Sequence, residues 1–392
     1  MAVPIDGDFL RHTLSDLVRI DSRNPTLVPG APGEGPVAAR VADAMGSLGM
    51  EVEVVEPEPG RPSVIGRRPG AGGGRSLMLN GHLDTVGVEE MERPFEPRIA
   101  GGRLHGRGAY DMKGSIAACL GAVKALADAG VGLGGDLVVA AVADEEVASL
   151  GTTAVLERVR TDGAIVTEPT ELAVCIAHKG FAWIEIAVEG RAAHGSRPDL
   201  GVDANLGIGR VLAAVAELER ELAGRAVHPL VGPPSLHVGN LAGGTGWSTY
   251  AARATAGIER RTIPGETAAG ALAEIEGLLE RLRADGAGLR ASARTVLARE
   301  PFEGDPDGPL ARVLERAAAE ALGRRPERIG APYWMDAALI AAAGIETAVF
   351  GPLGAGAHAA EEWVDLVSVE RTAETLARAA IGYCGLAGGD AS

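Results

Sequence analysis

Short apolar runs recur along the chain, and each stops at a residue able to bind a metal or carry a proton. The run at 76–81 ends in Gly81-His82-Leu83-Asp84. Residues 136–143 (DLVVAAVA) are almost continuously apolar, as in a strand buried on both faces, and lead into Asp144-Glu145-Glu146. Residues 163–166 repeat the pattern before Thr167-Glu168, and residues 346–350 run into a glycine loop closing on His358. Strands that end in this way place their ligating residues at one edge of an α/β sheet, where such sheets keep their sites.

Between these runs the spacing of apolar positions changes. Residues 8–20, 36–49 and 115–128 show the three- and four-residue spacing of helices, with a Pro- and Gly-rich loop at 24–36. Residues 51–55 alternate like a strand. The turn-rich connection at 61–75 carries Gly72-Gly73-Gly74, which no Gly-Lys-Ser/Thr follows, so it predicts a hairpin tip and not a phosphate loop. Gly106-Arg107-Gly108 has Asp111 where a dinucleotide fingerprint needs its third glycine, and no strand leads directly into it. These glycines suit a loop that delivers Asp111 to a crowded place.

From 179 to 296 the character differs. Strands at 181–188, 236–241, 250–260 and 289–296 alternate with period two, and helices are predicted at 203–222 and 267–284. This pattern describes a smaller α+β domain on an open-faced sheet, interrupting a larger α/β domain formed by 1–178 and 297–392.

Composition then narrows the function. A chain of 392 residues suggests about two domains. The formal charge of −16, with lysine only at 113, 124 and 179, argues against nucleic acid as a partner. No apolar run reaches membrane-spanning length, and the first residues lack the basic and apolar regions of a secretory signal. A cytoplasmic protein is therefore expected. Three widely spaced cysteines, Cys119, Cys175 and Cys384, describe neither a disulfide framework nor a thiolate metal site.

The chemistry gathers in His82, Asp84, Asp111, Glu145, Glu146, Glu168 and His358. Taken alone, His82-x-Asp84 admits a metal ligand beside a carboxylate or a hydrogen-bonded pair at a loop end. Taken together, five carboxylates and two imidazoles in one cleft would repel unless cations neutralised them, and two divalent metals supply that charge. Mixed nitrogen and oxygen donors favour zinc, with cobalt or manganese able to substitute.

The blocks Gly81-His82-Leu83-Asp84-Thr85-Val86, Gly106 to Gly114 (GRGAYDMKG), Asp144-Glu145-Glu146, Glu168-Pro169-Thr170, Ala193 to Pro198 (AHGSRP), Glu259 to Glu266 (ERRTIPGE) and Ala357-His358 follow in the order found in the M20 metallohydrolases. The chain resembles that family of acetylornithine deacetylases, desuccinylases, aminoacylases and glutamate-releasing carboxypeptidases over nearly its whole length. The resemblance implies an aminopeptidase-like catalytic domain, with a central mixed sheet flanked by helices, and an inserted lid and dimerisation domain. It also implies two zinc ions, with Asp111 bridging, His82 and Glu168 completing one coordination sphere, and Glu146 and His358 the other. Asp84 would accept the second ring N–H of His82, and Glu145 would be general base to a metal-bridging hydroxide. His194 would stabilise the oxyanion, across a homodimer or within one subunit, and Arg261, or its neighbour Arg260, would hold the substrate carboxylate.

Ser248 stands where many relatives carry Asn, which leaves the substrate open. Asp336 reads as a contact to a substrate side chain or as a helix cap. The implied activity is removal of an N-acyl group from an amino acid, acetylornithine deacetylase-like; the alternatives are a dipeptidase or carboxypeptidase and a non-catalytic relative that binds small peptides. The last would be expected to have lost ligands, whereas all are present.

Overall fold

Three of the apolar runs make the centre of a mixed sheet because they have no polar face to show to water. In the computed structural model, which describes residues 3–88, 90–225, 227–284 and 288–388, the strands Leu77–His82, Leu137–Val142 and Gly163–Val166 are buried at every position. Each fully buried Leu or Val side chain there contributes about 1.5–3 kcal/mol relative to exposure.

The chain divides into two compact units, one of residues 1–176, 304–329 and 335–392, the other of 177–303 and 330–334. In the first, the sheet runs in the order Glu51–Val55, Ser63–Arg68, Leu137–Val142, Leu77–His82, Gly163–Val166, Glu346–Val349, Val174–His178. The four strands from Leu137–Val142 to Glu346–Val349 are parallel, and antiparallel strands flank them. All the chain ends that leave the parallel strands therefore emerge at one edge. The helices Gly7–Arg19, Gly114–Asp128, Pro309–Leu322 and Leu366–Cys384 pack on one another. Asp6 and Asp365 cap the first and last of these, accepting the backbone N–H of Phe9 and Ser368. All three cysteines are buried free thiols. Among the described residues no helix is long and apolar enough to cross a membrane.

The expected hairpin at residues 61–75 does not form. Ser63–Arg68 and Leu77–His82 are not neighbours, because Leu137–Val142 lies between them and pairs with both. The glycines instead permit a close backbone crossing: a Cβ on Gly74 would lie 1.9 Å from the Cys384 carbonyl oxygen, and one on Gly135 would lie 1.9 Å from that of Arg75.

In the second unit, Ser235–Gly243, Arg253–Thr262, Gly180–Glu189 and Arg290–Arg299 form an antiparallel sheet in that order. Helices Ala204–Ala223 and Ala268–Ala284 cover one face around Ile186, Val211, Ile258 and Leu279, while Trp183, Val238 and Val296 are exposed. This unit reaches beyond the expected 179–296, because Phe302 and Glu303 pair with His178 and Ala177 where the chain enters and leaves, and Lys179 donates its N–H to the Ala331 carbonyl.

Candidate metal centre

His82 is the last residue of the Leu77–His82 strand. The loop after Leu137–Val142 brings Glu145 and Glu146 to the same edge, and the turn after Gly163–Val166 brings Glu168. Asp111 sits in an irregular segment ahead of helix Gly114–Asp128, with φ −116° and ψ 93°. His358 lies in the loop between the short strands Gly354–Ala355 and Trp363–Asp365. The latter strand pairs with Arg103–His105, so the His358 loop and the segment leading to Asp111 belong to one small sheet.

These side chains converge. Asp111 Oδ1 is 3.0 Å from His82 Nε2, and Oδ2 is 3.3 Å from His358 Nε2. Glu168 stands 3.6 Å from His82 on the first side, and Glu146 3.1 Å from His358 on the second. The ligand atoms of His82, Glu145 and Glu168 lie within 4.8 Å of one another, as do those of His82, Asp111 and Glu146. Glu146 Oε1 is buried with no hydrogen-bond partner. A carboxylate with each oxygen turned to a different imidazole, beside an unpartnered buried oxygen, fits a pair of cations.

Burial and mutual proximity shift the titration of these groups. Burial opposes charge on His82, but Glu168, Asp111 and Asp84 outweigh it and hold the imidazole well above its usual pKa. Burial also favours the proton on Asp111, yet hydrogen bonds from His358 and His82 draw it below the carboxylate range. Burial and the neighbouring Glu168 push Glu145 well up, and burial takes Glu168 to about 8 against the field of His82. His358, bonded to Asp111 and Glu146, is raised to about 10. Without cations the cluster keeps protons, so metal entry must release them.

The part assigned to the Asp84 carboxylate needs correction. The acceptor nearest His82 Nδ1 is the Asp84 backbone carbonyl at 2.9 Å, while the carboxylate is 3.6 Å away. That carboxylate instead accepts the backbone N–H groups of Glu145 (3.1 Å) and Glu146 (3.2 Å) and the amide of Asn24 (2.8 Å). Asp84 thus anchors the loop bearing Glu145 and Glu146. Asp336 also differs from the expectation of a substrate contact: it is buried, its Oδ2 takes the Thr152 hydroxyl at 2.5 Å, and its side chain makes no cap bond to the helix it precedes.

Four residues not singled out in the sequence complete the support. Arg61 pairs with Glu34 and Asp144 inside the fold, Asn24 links Asp144 to Asp84, and Glu362 holds the segment before Asp111. Their sequence signal is slight, a charged or amide residue in a turn-rich stretch.

His194, Ser248 and Arg261 belong to the second unit. His194 is exposed, with Nδ1 2.7 Å from the Ser196 hydroxyl, and Gly195 donates its N–H to the Ser248 carbonyl, bringing these two segments together. Arg260 is buried and committed to Glu266 (2.8 Å) and Glu274 (3.2 Å). Arg261, more open, pairs with Glu259 and lies over the Phe181 ring. Of the two arginines, Arg261 is the less buried, with its side chain 28% exposed against 1% for Arg260.

Comparison with known proteins gives a consistent picture. The profile of peptidase family M20/M25/M40 matches residues 78–381. An acetylornithine deacetylase of Myxococcus xanthus is 30% identical over 383 residues, covering 96% of this chain and 98% of that protein. The crystal structure of the aminopeptidase PepT from Bacillus cereus superposes with a TM-score of 0.79 at 19% identity, over 97% of this chain and 99% of the other. A dinuclear metal-binding M20 peptidase from Bacillus subtilis gives 0.75 at 17% identity, over 96% and 98%.

Proposed function

Because the chain belongs to peptidase family M20/M25/M40 and is a hydrolase of amide bonds, we propose that it removes an acyl group from the α-nitrogen of an amino acid, in the manner of an acetylornithine deacetylase. The observation that carries the hydrolytic reading is Asp111, whose two oxygens address His82 and His358 separately. The choice of an acyl amino acid rests on the full-length likeness to the Myxococcus xanthus deacetylase.

His82, Glu168 and Asp111 would hold one divalent cation, and Glu146, His358 and Asp111 a second. The donor set, with every cysteine buried elsewhere, favours zinc, with cobalt or manganese as substitutes. Such ions polarise the scissile carbonyl and acidify the attacking water. Glu145, beside His82 and Glu168, would take a proton from that water and pass it to the departing nitrogen. Asp84 keeps Glu145 in register by holding its backbone N–H. From the second unit, His194 is proposed to donate to the developing oxyanion, within one subunit or across a homodimer, a contribution typically about 2.7–4 kcal/mol, and Arg261 to hold the substrate carboxylate in bidentate fashion; Ser248 lies beside the His194 segment. The exposed apolar residues Trp183, Val238 and Val296 support a homodimer joined through this unit.

Glu145→Gln tests the assignment. Turnover should fall by about 10²–10⁴-fold while two metals per chain remain by elemental analysis; loss of metal together with activity would place Glu145 among the ligands. A panel of acetyl, succinyl and formyl amino acids and dipeptides, with zinc or cobalt, tests the substrate. Fastest turnover of a dipeptide would move the reading to a peptidase, and no turnover at all would favour a binding protein.

A further inference from the structure

Glu362 is a buried carboxylate with no place in the chemistry above, 2% exposed and four residues past His358. All of its acceptor capacity is spent on one short segment. Oε2 accepts from Arg107 Nη1 at 2.7 Å and from the Gly108 N–H at 3.0 Å. Oε1 accepts the N–H groups of Tyr110 at 2.9 Å and Asp111 at 3.0 Å. Arg107 returns across the same gap to the Ala359 carbonyl, and the Gly106 N–H to the Glu362 carbonyl. Asp111 and the His358 loop are thereby fastened to one another at the backbone.

We propose that Glu362 is a positioning residue that sets the half of the metal centre formed by His358, Glu146 and Asp111 Oδ2. The two halves are built differently. His82 and Glu168 stand at or just beyond the ends of adjoining buried strands, so the sheet itself fixes them. His358 has no such support: its side chain is 55% exposed and its backbone is left-handed, with φ 60°. What brings it to Asp111 is the small sheet and the Glu362 carboxylate plugged into residues 107–111. A carboxamide in place of that carboxylate keeps one acceptor oxygen and turns an NH₂ donor towards backbone donors, so one end of the fastening becomes repulsive.

This inference rests on the two-metal reading, and the test separates them. Zinc chloride is titrated calorimetrically into chelator-stripped, dialysed protein, with circular dichroism confirming the fold of each variant. Wild type should bind two zinc ions. Glu362→Gln should leave one site unchanged within about threefold and weaken the other about 10–100-fold, the usual scale for a partner behind a metal ligand. The double variant Glu362→Gln with His358→Ala should bind the remaining zinc no more weakly than His358→Ala alone. A general lesion would instead lower both sites together, and that result, or two unchanged sites, overturns the proposal. If Glu362→Gln does not fold, Glu362→Asp, with the charge kept on a shorter arm, must show the same one-sided loss, and an even loss overturns the proposal. Fewer than two zinc ions in wild type overturns the metal-centre reading and this proposal with it.

Discussion

Arg61 supplies the one cation in the buried group behind the Glu145 loop among the described residues, and replacing it by methionine should be among the most damaging single changes outside the metal ligands. Its side chain is 7% exposed, and its partners Glu34 and Asp144 are 0% and 2% exposed. Nε and Nη2 grip both oxygens of Glu34 at 2.7 Å, and Nη2 also reaches Asp144 Oδ1 at 2.7 Å. Methionine keeps the length and apolar stem but leaves two carboxylates buried without a cation. Breaking such a pair from one side costs about 3–5 kcal/mol. At about 2–4 °C per kcal/mol for a unit of this size, the melting midpoint should fall by roughly 6–20 °C. Calorimetry is the assay, since it resolves which transition of a two-unit chain moves.

The pH dependence carries a sign that stability alone would not. Burial already raises Glu34 above its usual 4.5, with the hydrogen bonds from Arg61 opposing. Removing Arg61 removes that opposition, so the folded-state pKa rises further. A group whose folded pKa exceeds its unfolded value contributes stability that is complete below the unfolded value and is lost as pH rises through the folded one. The deficit of Arg61→Met relative to wild type should therefore be small near pH 5 and largest near pH 8. A deficit below about 1 kcal/mol at pH 8, or one that does not change between these values, would refute the reasoning.

Two further contrasts test the packing and the second unit. Gly74→Ala drives a Cβ to within 1.9 Å of the Cys384 carbonyl and should cost at least about 1–3 kcal/mol; Gly46→Ala, in helix Gly35–Ser47 with nothing near its Cβ, should stabilise by about 0.5–1 kcal/mol. Chemical denaturation that gave both the same sign would contradict the crossing at Gly74. Arg260→Met should destabilise the second unit by about 1.5–3 kcal/mol, because it removes the buried partner of Glu266 and Glu274 while Arg225 still pairs with both. Arg261→Met should change stability by less than about 1 kcal/mol and raise KM for carboxylate substrates, and kinetics showing the reverse pattern would exchange the two roles.

What could be read from the sequence follows from how far each cause reaches along the chain. The convergence of His82, Glu145, Glu146 and Glu168 is legible because a buried parallel strand is mostly apolar, so a charged or imidazole side chain at or just past its end stands out against the run before it. The helices at 7–19 and 114–128 show their faces within a few turns. The reading of 61–75 as a hairpin failed for the opposite reason: Leu137–Val142, far along the chain, inserts between two strands that are consecutive in sequence, and nothing local to Gly72-Gly73-Gly74 announces it. Asp84 shows the same limit within a motif. Its spacing suggests a partner two residues away, yet that partner takes the carbonyl, and the carboxylate spans 61 and 62 residues to Glu145 and Glu146. Arg61 meets Glu34 across 27 residues, and Arg107 meets Glu362 across 255. The groups proposed to do the chemistry sit at strand ends and mark themselves locally, whereas groups that hold them there are chosen by tertiary contact. An ordinary Glu after His358 therefore acquires its role only when the fold sets it against Gly108, Tyr110 and Asp111.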